Sequence, residues 1–224
     1  MSTLSNVDIE LESAVNEGLT NLNPPHGIIP DARHSLTGVS VSYVPDKEKQ
    51  WFVFRASYGR GRKASDILIE NGTLTYTPMH HVKRIEGEKR VMVKEPLLPS
   101  LVFAYTTPAQ ARTYVEGVRN MGFLTFYYDH FKLVGGKNPP LTVSDHDMLM
   151  FIKATLPDNE HIRLIDTAKV DFNNDDHVLV TEGAFAGVEG YVVRVAGQQR
   201  VAVTIKGLCT VATAYVPTAF LRKL

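Results

Sequence analysis

The sequence predicts an α+β first domain followed by a small all-β second domain. Three observations carry this. Residues 50–153 alternate short apolar runs with three helical patterns. Residues 177–215 hold β-branched segments divided by glycine or polar turns. Between these blocks the periodicity fades, and Pro157-Asp158-Asn159 interrupts it. The boundaries expected are an arm over 1–48, a first domain over 49–154, a linker over 155–173 and a second domain over 174–224.

The arm is rich in Asn, Ser, Pro, Gly and acids, with turn signals at Asn23-Pro24-Pro25 and Ile29-Pro30-Asp31. It reads as mostly loose, with a short helical turn over 8–15. Order begins at Trp51. Trp51-Phe52-Val53-Phe54-Arg55-Ala56 is apolar on both alternating faces, as in a strand covered on both sides. Ser57-Tyr58-Gly59-Arg60-Gly61-Arg62 reads as a turn. A short helix follows, with Ala64, Ile67 and Leu68 on one side and a glycine stop at Asn71-Gly72.

Strand signals come next. Leu74 and Tyr76 alternate with threonines, and residues 82–85 and 89–93 flank a hairpin tip at Glu86-Gly87-Glu88. Residues 97–105 read as one apolar strand with a proline near its start. Thr107-Pro108-Ala109-Gln110 is the strongest helix start, with Thr at the N-cap, Pro in the first turn and Gln completing a capping box. Ala111, Tyr114, Val115 and Val118 share that helix's apolar face. Residues 123–128 form another strand and 135–140 a loop. A third helix opens at Ser144, with Asp145 and Asp147 suited to its N-terminal dipole and Lys153 to its C-terminus. Met148, Phe151 and Ile152 are its apolar side. The second domain reads as strands over 177–181, 189–196, 200–205 and 208–215, which a small barrel would close.

The chain has 24 basic and 24 acidic residues, unevenly placed. Residues 1–49 hold 3 basic and 7 acidic side chains, 50–153 hold 14 and 9, and 154–224 hold 7 and 8. The middle block suits contact with phosphates, although its excess is small for a dedicated DNA binder. No apolar run is long enough to cross a membrane, and the N-terminus lacks the pattern of a secretory signal. The single cysteine, Cys209, cannot form an internal disulfide and fits a reducing, cytoplasmic setting.

Several residues now resemble a known family. Trp51-Phe52-Val53-Phe54-Arg55, the glycine turn and basic helix after it, and Lys94-Glu95-Pro96-Leu97-Leu98-Pro99-Ser100-Leu101-Val102-Phe103 resemble the N-terminal domain of NusG proteins. Residues 176–190 are similar to a KOW domain: a strand, Gly183, Phe185, Gly187, then Gly190 opening the next strand. The details look closest to specialised NusG paralogs of the UpxY kind, through Asn138-Pro139-Pro140-Leu141-Thr142-Val143 and Val211-Ala212-Thr213-Ala214-Tyr215-Val216-Pro217. Leu98, Ser100 and Leu101 depart from the Phe-Pro-Gly-Tyr pattern usual in the family.

The resemblance implies an α/β sandwich joined to a five-stranded Tudor-like barrel. It implies a transcription elongation or antitermination factor that binds the clamp helices of the largest RNA polymerase subunit, and for UpxY-like proteins a polysaccharide operon of Bacteroides-type bacteria. Polymerase contact is expected at Phe52, Phe54, Leu97, Leu98 and Leu101, whose summed apolar surface is large for one small domain. The alternative for each is plain core. Non-template or upstream DNA is expected at Arg55, Tyr58, Arg60, Arg62 and Lys63, with a solvated helix face as the alternative. Lys83, Arg84, Lys89 and Arg90 on the hairpin carry the same two readings. Phe185 is expected to meet a second partner, such as Rho or a small-subunit ribosomal protein, or else to cap the barrel core. RfaH-like paralogs have a C-terminal domain that turns helical, but the valines and isoleucine of 178–205 favour strands here.

Neither an enzyme nor a cofactor is expected. No phosphate-binding Gly-x-x-x-x-Gly-Lys motif is present. His80 and His81 would point to opposite faces of a strand, and one cysteine cannot complete a metal pattern. Asn173-Asn174-Asp175-Asp176 resembles a calcium loop only in composition. A ribosome-associated or RNA-binding KOW protein without a polymerase role is the alternative function, opposed by the slight acidity of residues 154–224.

Overall fold

The computed structural model describes residues 27–30, 40–43, 45–87, 89–118, 120–156, 161–166 and 176–224. The helical turn expected over 8–15 lies outside them, as do three of the four residues of the calcium-like run. Within residues 1–45, which form a unit of their own, β1 (Gly27–Pro30) and β2 (Ser40–Tyr43) pair antiparallel. The second unit, Asp46–Leu224, holds everything that follows.

Its organising strand is β3 (Gln50–Ala56). Every residue of it is buried except Gln50 and Arg55. It pairs antiparallel with β7 (Leu101–Thr106) and with β8 (Leu124–Phe126) and β9 (Thr142–Val143); β4 (Leu74–Tyr76) adds on beyond β7. Pairing sorts the side chains by face. Phe52 and Phe54 stand opposite Ala104 and Val102, and this face packs on α1 (Gly61–Glu70) and α2 (Pro108–Glu116) through Ala64, Leu68, Ala111 and Tyr114. Trp51 and Val53 stand opposite Tyr105 and Phe103 on the other face. There Phe103 meets Phe151 of α3 (Asp145–Thr155), with ring centroids 5.3 Å apart.

The helix starts follow the sequence signals. The Thr107 side chain accepts from the Gln110 N–H at 3.2 Å, and Ser144 accepts from Asp147 N–H at 3.1 Å. The reciprocal half of the expected capping box is not made. Gln110 turns instead to Thr106 (3.0 Å) and the Tyr114 hydroxyl (2.8 Å). The strand expected over 97–105 is split. Strand β6 (Lys89–Pro96) ends at the proline, a turn closed by Leu101 N–H to Leu98 O (3.0 Å) follows, and β7 begins at Leu101. Pro99, which has no N–H for a ladder, sits in that turn.

The C-terminal part is a six-stranded antiparallel sheet in the order β10-β14-β13-β12-β11-β15, consistent with a KOW-like β domain. Its strands are β10 (Arg163–Ile165), β11 (His177–Val180), β12 (Glu189–Val195), β13 (Gln198–Ile205), β14 (Cys209–Ala212) and β15 (Leu221–Lys223). Five strands were expected. The sixth, β10, comes from the stretch expected as linker and pairs with β14. Gly190 is required where β12 crosses β13, because a Cβ there would run into the Ala202 carbonyl.

Helix α3 joins the two sheets. Met148, Met150, Phe151, Ile152, Ala154 and Thr155 are all buried, so the helix is enclosed almost all round. One side packs on β3; the other packs on β13 and β14. Lys153 donates to the Gly187 carbonyl at 3.0 Å, and the Glu189 N–H lies 3.2 Å from the Met150 sulfur. Lys153 thus reaches across to the second sheet rather than only facing its own helix end. Burial lowers its pKa, offset by Glu189.

Candidate functional site

Beyond Val53 and Phe103 the α3-facing side of the first sheet changes character. The next row across β7, β3 and β8 is Leu101, Arg55 and Thr125. Arg55 and Thr125 are exposed and Leu101 is half-buried, so this row opens to solvent. Leu98 is half-buried in the turn leading into it, and Pro99 is exposed. The turn is fixed to β3, since Ala56 N–H donates to Ser100 O at 2.8 Å.

Directly after β3 comes a tight turn over Ser57–Gly59, in which Tyr58 takes a left-handed conformation (φ 59°) and is 90 % exposed. A positive φ at tyrosine is strained, and such strain persists only where the surroundings hold it. Ser57 N–H is held by Phe123 O at 2.9 Å, and Gly59 is also left-handed. Gly61 then lets α1 close on the Leu98–Leu101 turn: a Cβ there would sit 2.7 Å from the Pro99 carbonyl oxygen. The glycine at this point is therefore a packing requirement.

The basic residues gather around one aromatic ring. The Arg60 guanidinium lies 5.3 Å from the Phe123 centroid and 5.5 Å from that of Tyr58, and the Lys63 ammonium lies 5.8 Å from Phe123. Arg62 is exposed on α1. The backbone therefore brings Arg55, Tyr58, Arg60, Lys63, Leu98 and Leu101 to one end of the sheet. A surface with half-buried leucines, an exposed tyrosine and cations over an aromatic ring can bury an apolar helix edge and meet phosphates at its rim.

Three expected contact residues do not belong to this surface. Phe52 and Phe54 lie in the core under α1 and α2, Phe52 tilted against Phe126 at a centroid distance of 6.0 Å and Phe54 stacked on it at 5.4 Å. Leu97 is 5 % exposed. The expectation that they present an uncovered apolar face is corrected: α1 and α2 cover the even-numbered side of β3. Phe185 is likewise only 6 % exposed, in a turn tied by Val188 N–H to Phe185 O at 3.0 Å, so it offers a partner little surface. Phe123 and Thr125 were missed as site residues. Their only sequence signal was membership of a strand, and cross-strand register is what sets them beside Arg60 and Arg55.

The ribbon of β5 (Met79–Glu86) and β6 (Lys89–Pro96) has two unlike faces. Register puts His81, Lys83, Ile85, Arg90, Met92 and Lys94 on one face, without a carboxylate among the described residues. Glu95 and Glu86 fall on the other with His80, Arg84 and Lys89. There Arg84 pairs with Glu95 at 2.5 Å. His80 and His81 indeed alternate between faces. Burial pushes the Cys209 thiol up to about 12, so it stays protonated and inert.

Comparison with known proteins agrees with the first domain. Residues 49–152 match the family model NusG, described as transcription termination factor nusG. No curated protein matches the chain. The match spans 104 of the chain's 224 residues and likens its first domain to NusG.

Proposed function

We propose that this chain is a NusG-family transcription factor that docks on elongating RNA polymerase through the open row at the end of its first sheet. Leu98 and Leu101 are the apolar contacts, seated against the clamp helices of the largest subunit. Arg55, Tyr58, Arg60, Arg62 and Lys63 form the rim that meets upstream or non-template DNA. A specialised, UpxY-like role at a polysaccharide operon is the finer reading of the resemblance.

The observation that carries this reading is the convergence of the Leu98–Leu101 turn with the Tyr58–Lys63 segment, inside the residues that match the NusG model. Segments separated by some 40 positions were assigned to two partners, and their backbones meet where Gly61 closes on the Pro99 carbonyl. That is the arrangement a protein needs to touch polymerase and its DNA together. Leucines at the centre exclude water, and long cations at the edge steer and hold phosphates.

The test is a pull-down with a clamp-helix fragment, comparing wild type with Leu98→Asp and Leu101→Asp. A carboxylate placed in a desolvated contact should weaken binding by about tenfold or more. Equal binding by all three proteins would remove this contact surface. Retention of RNA by the C-terminal sheet with no clamp binding at all would favour the ribosome- or RNA-associated alternative.

A further inference from the structure

A second built surface lies at the opposite end of β3, where Gln50 rather than Arg55 faces out. A groove of about 360 Å³ is lined there by Phe52 and Phe126 at its floor, Pro108, Pro139 and Pro140 at its walls, and Arg112 and Lys132 among its charged groups. Asp129 also lines it, but its carboxylate already accepts the Phe131 N–H at 3.0 Å. Arg112 and Lys132 are exposed and make no ion pair among the described residues.

Beside the groove the chain raises a loop that shows its apolar side chains to water. Phe131 is 80 % exposed, Leu133 70 % and Val134 58 %. This loop is built. Asn138 donates to both Asp129 O and Lys132 O at 2.9 Å, Asp129 N–H donates to Pro139 O at 2.9 Å, and Val134 and Lys137 exchange backbone hydrogen bonds around left-handed Gly135 and Gly136. The β13–β14 turn at Gly207 backs it, with Phe131 close to the glycine's open side. A loop tied at this many points holds Phe131 and Leu133 outward at a hydration cost that a partner would remove.

We propose that this groove and loop form a docking site for an acidic peptide segment carrying a bulky apolar side chain. The apolar anchor enters between the prolines and onto the Phe131–Val134 ridge. Its flanking carboxylates pair with Arg112, Lys132 and Lys137. A peptide fits better than a nucleic-acid strand: five of the ten lining residues are proline or phenylalanine, the exposed Phe131–Val134 ridge adds apolar surface, and three cations give too few phosphate contacts for strong backbone binding. This surface is separate from the polymerase-docking row and does not depend on that reading.

The test uses the full chain and a fluorescein-labelled peptide of sequence Glu-Asp-Phe-Asp-Glu-Leu-Glu-Asp, read by anisotropy. Controls are the same peptide with Ser for Phe and Leu, and a short oligothymidylate. Saturable binding is expected, weakened about tenfold or more by Phe131→Ser, by Lys132→Glu and in the serine peptide. Both substituted residues are exposed, and circular dichroism confirms that each variant folds. Lack of saturable binding, or binding unchanged in both variants, overturns the proposal. Displacement of the peptide by oligothymidylate, sensitive to the same two substitutions, replaces it with a nucleic-acid surface.

Discussion

His80 illustrates how a single residue takes its chemistry from packing. It is the second residue of β5, half-buried, opposite Glu95. Burial first, then the positive charge of Arg163, lowers its pKa below the ordinary value near 6.5; Glu95 opposes this and His81 adds to it. The unfolded chain then takes up a proton at a pH where the folded chain does not. Stability from the neutral imidazole is therefore complete above the unfolded value and is lost as pH falls toward the folded one. In urea unfolding at about pH 7.5 and about pH 5, wild type should lose more stability on acidification than His80→Gln. An identical pH dependence would assign the effect to other groups. Glycines 61 and 190 show the same dependence on neighbours. Both stood in the sequence as turn or motif glycines, and their need for a bare Cα comes from the Pro99 and Ala202 carbonyls across the chain.

At the scale of elements, α3 departs most from its sequence reading. Ser144, Asp145 and Asp147 marked its start correctly. The run Met148-Leu149-Met150-Phe151-Ile152 is apolar around the whole helix, yet periodicity alone singled out one side. The structure uses two: Phe103, Tyr76 and β3 on one, β13 and β14 on the other. The Tyr76 hydroxyl and Thr155 share a buried hydrogen bond of 2.7 Å, and Thr155 also donates back to Phe151 O. Phe151→Ala should cost about 3–5 kcal/mol, because its fully buried ring would leave a cavity between tightly packed layers. Chemical denaturation measures this, and a loss below about 1 kcal/mol would mean that the layers can collapse around the gap. The split of the expected 97–105 strand belongs here too. Leu97 to Tyr105 is apolar enough for one strand, but Pro99 and the closure onto Gly61 impose a turn.

For the whole molecule, the shared helix makes the two sheets one mechanical unit. Removing α3 would expose both cores, so residues 46–224 should unfold in one cooperative step. Trp51, the single tryptophan, is fully buried in the first sheet and reports on it alone. His177 and Tyr191 stack at 4.9 Å in the second sheet, and their resonances report on that one. Their denaturation midpoints should coincide; separated midpoints would mean that the sheets fold independently. Much of this architecture was legible in the order of residues. Strand and helix types, the N-caps at Thr107 and Ser144, the hairpin tip and the all-β C-terminal part follow from periodicity and from local backbone chemistry, which act over a few neighbouring residues. The sequence alone also placed Arg55, Tyr58, Arg60, Leu98 and Leu101 among the contact candidates. Only the tertiary structure decided that Phe52, Phe54, Leu97 and Phe185 are enclosed, that residues 163–165 add a sixth strand, and that Phe123 lies under two cations. Burial and register depend on which distant segments cover a face, and the alternation along one strand is the same whether the next layer is a helix, a sheet or water.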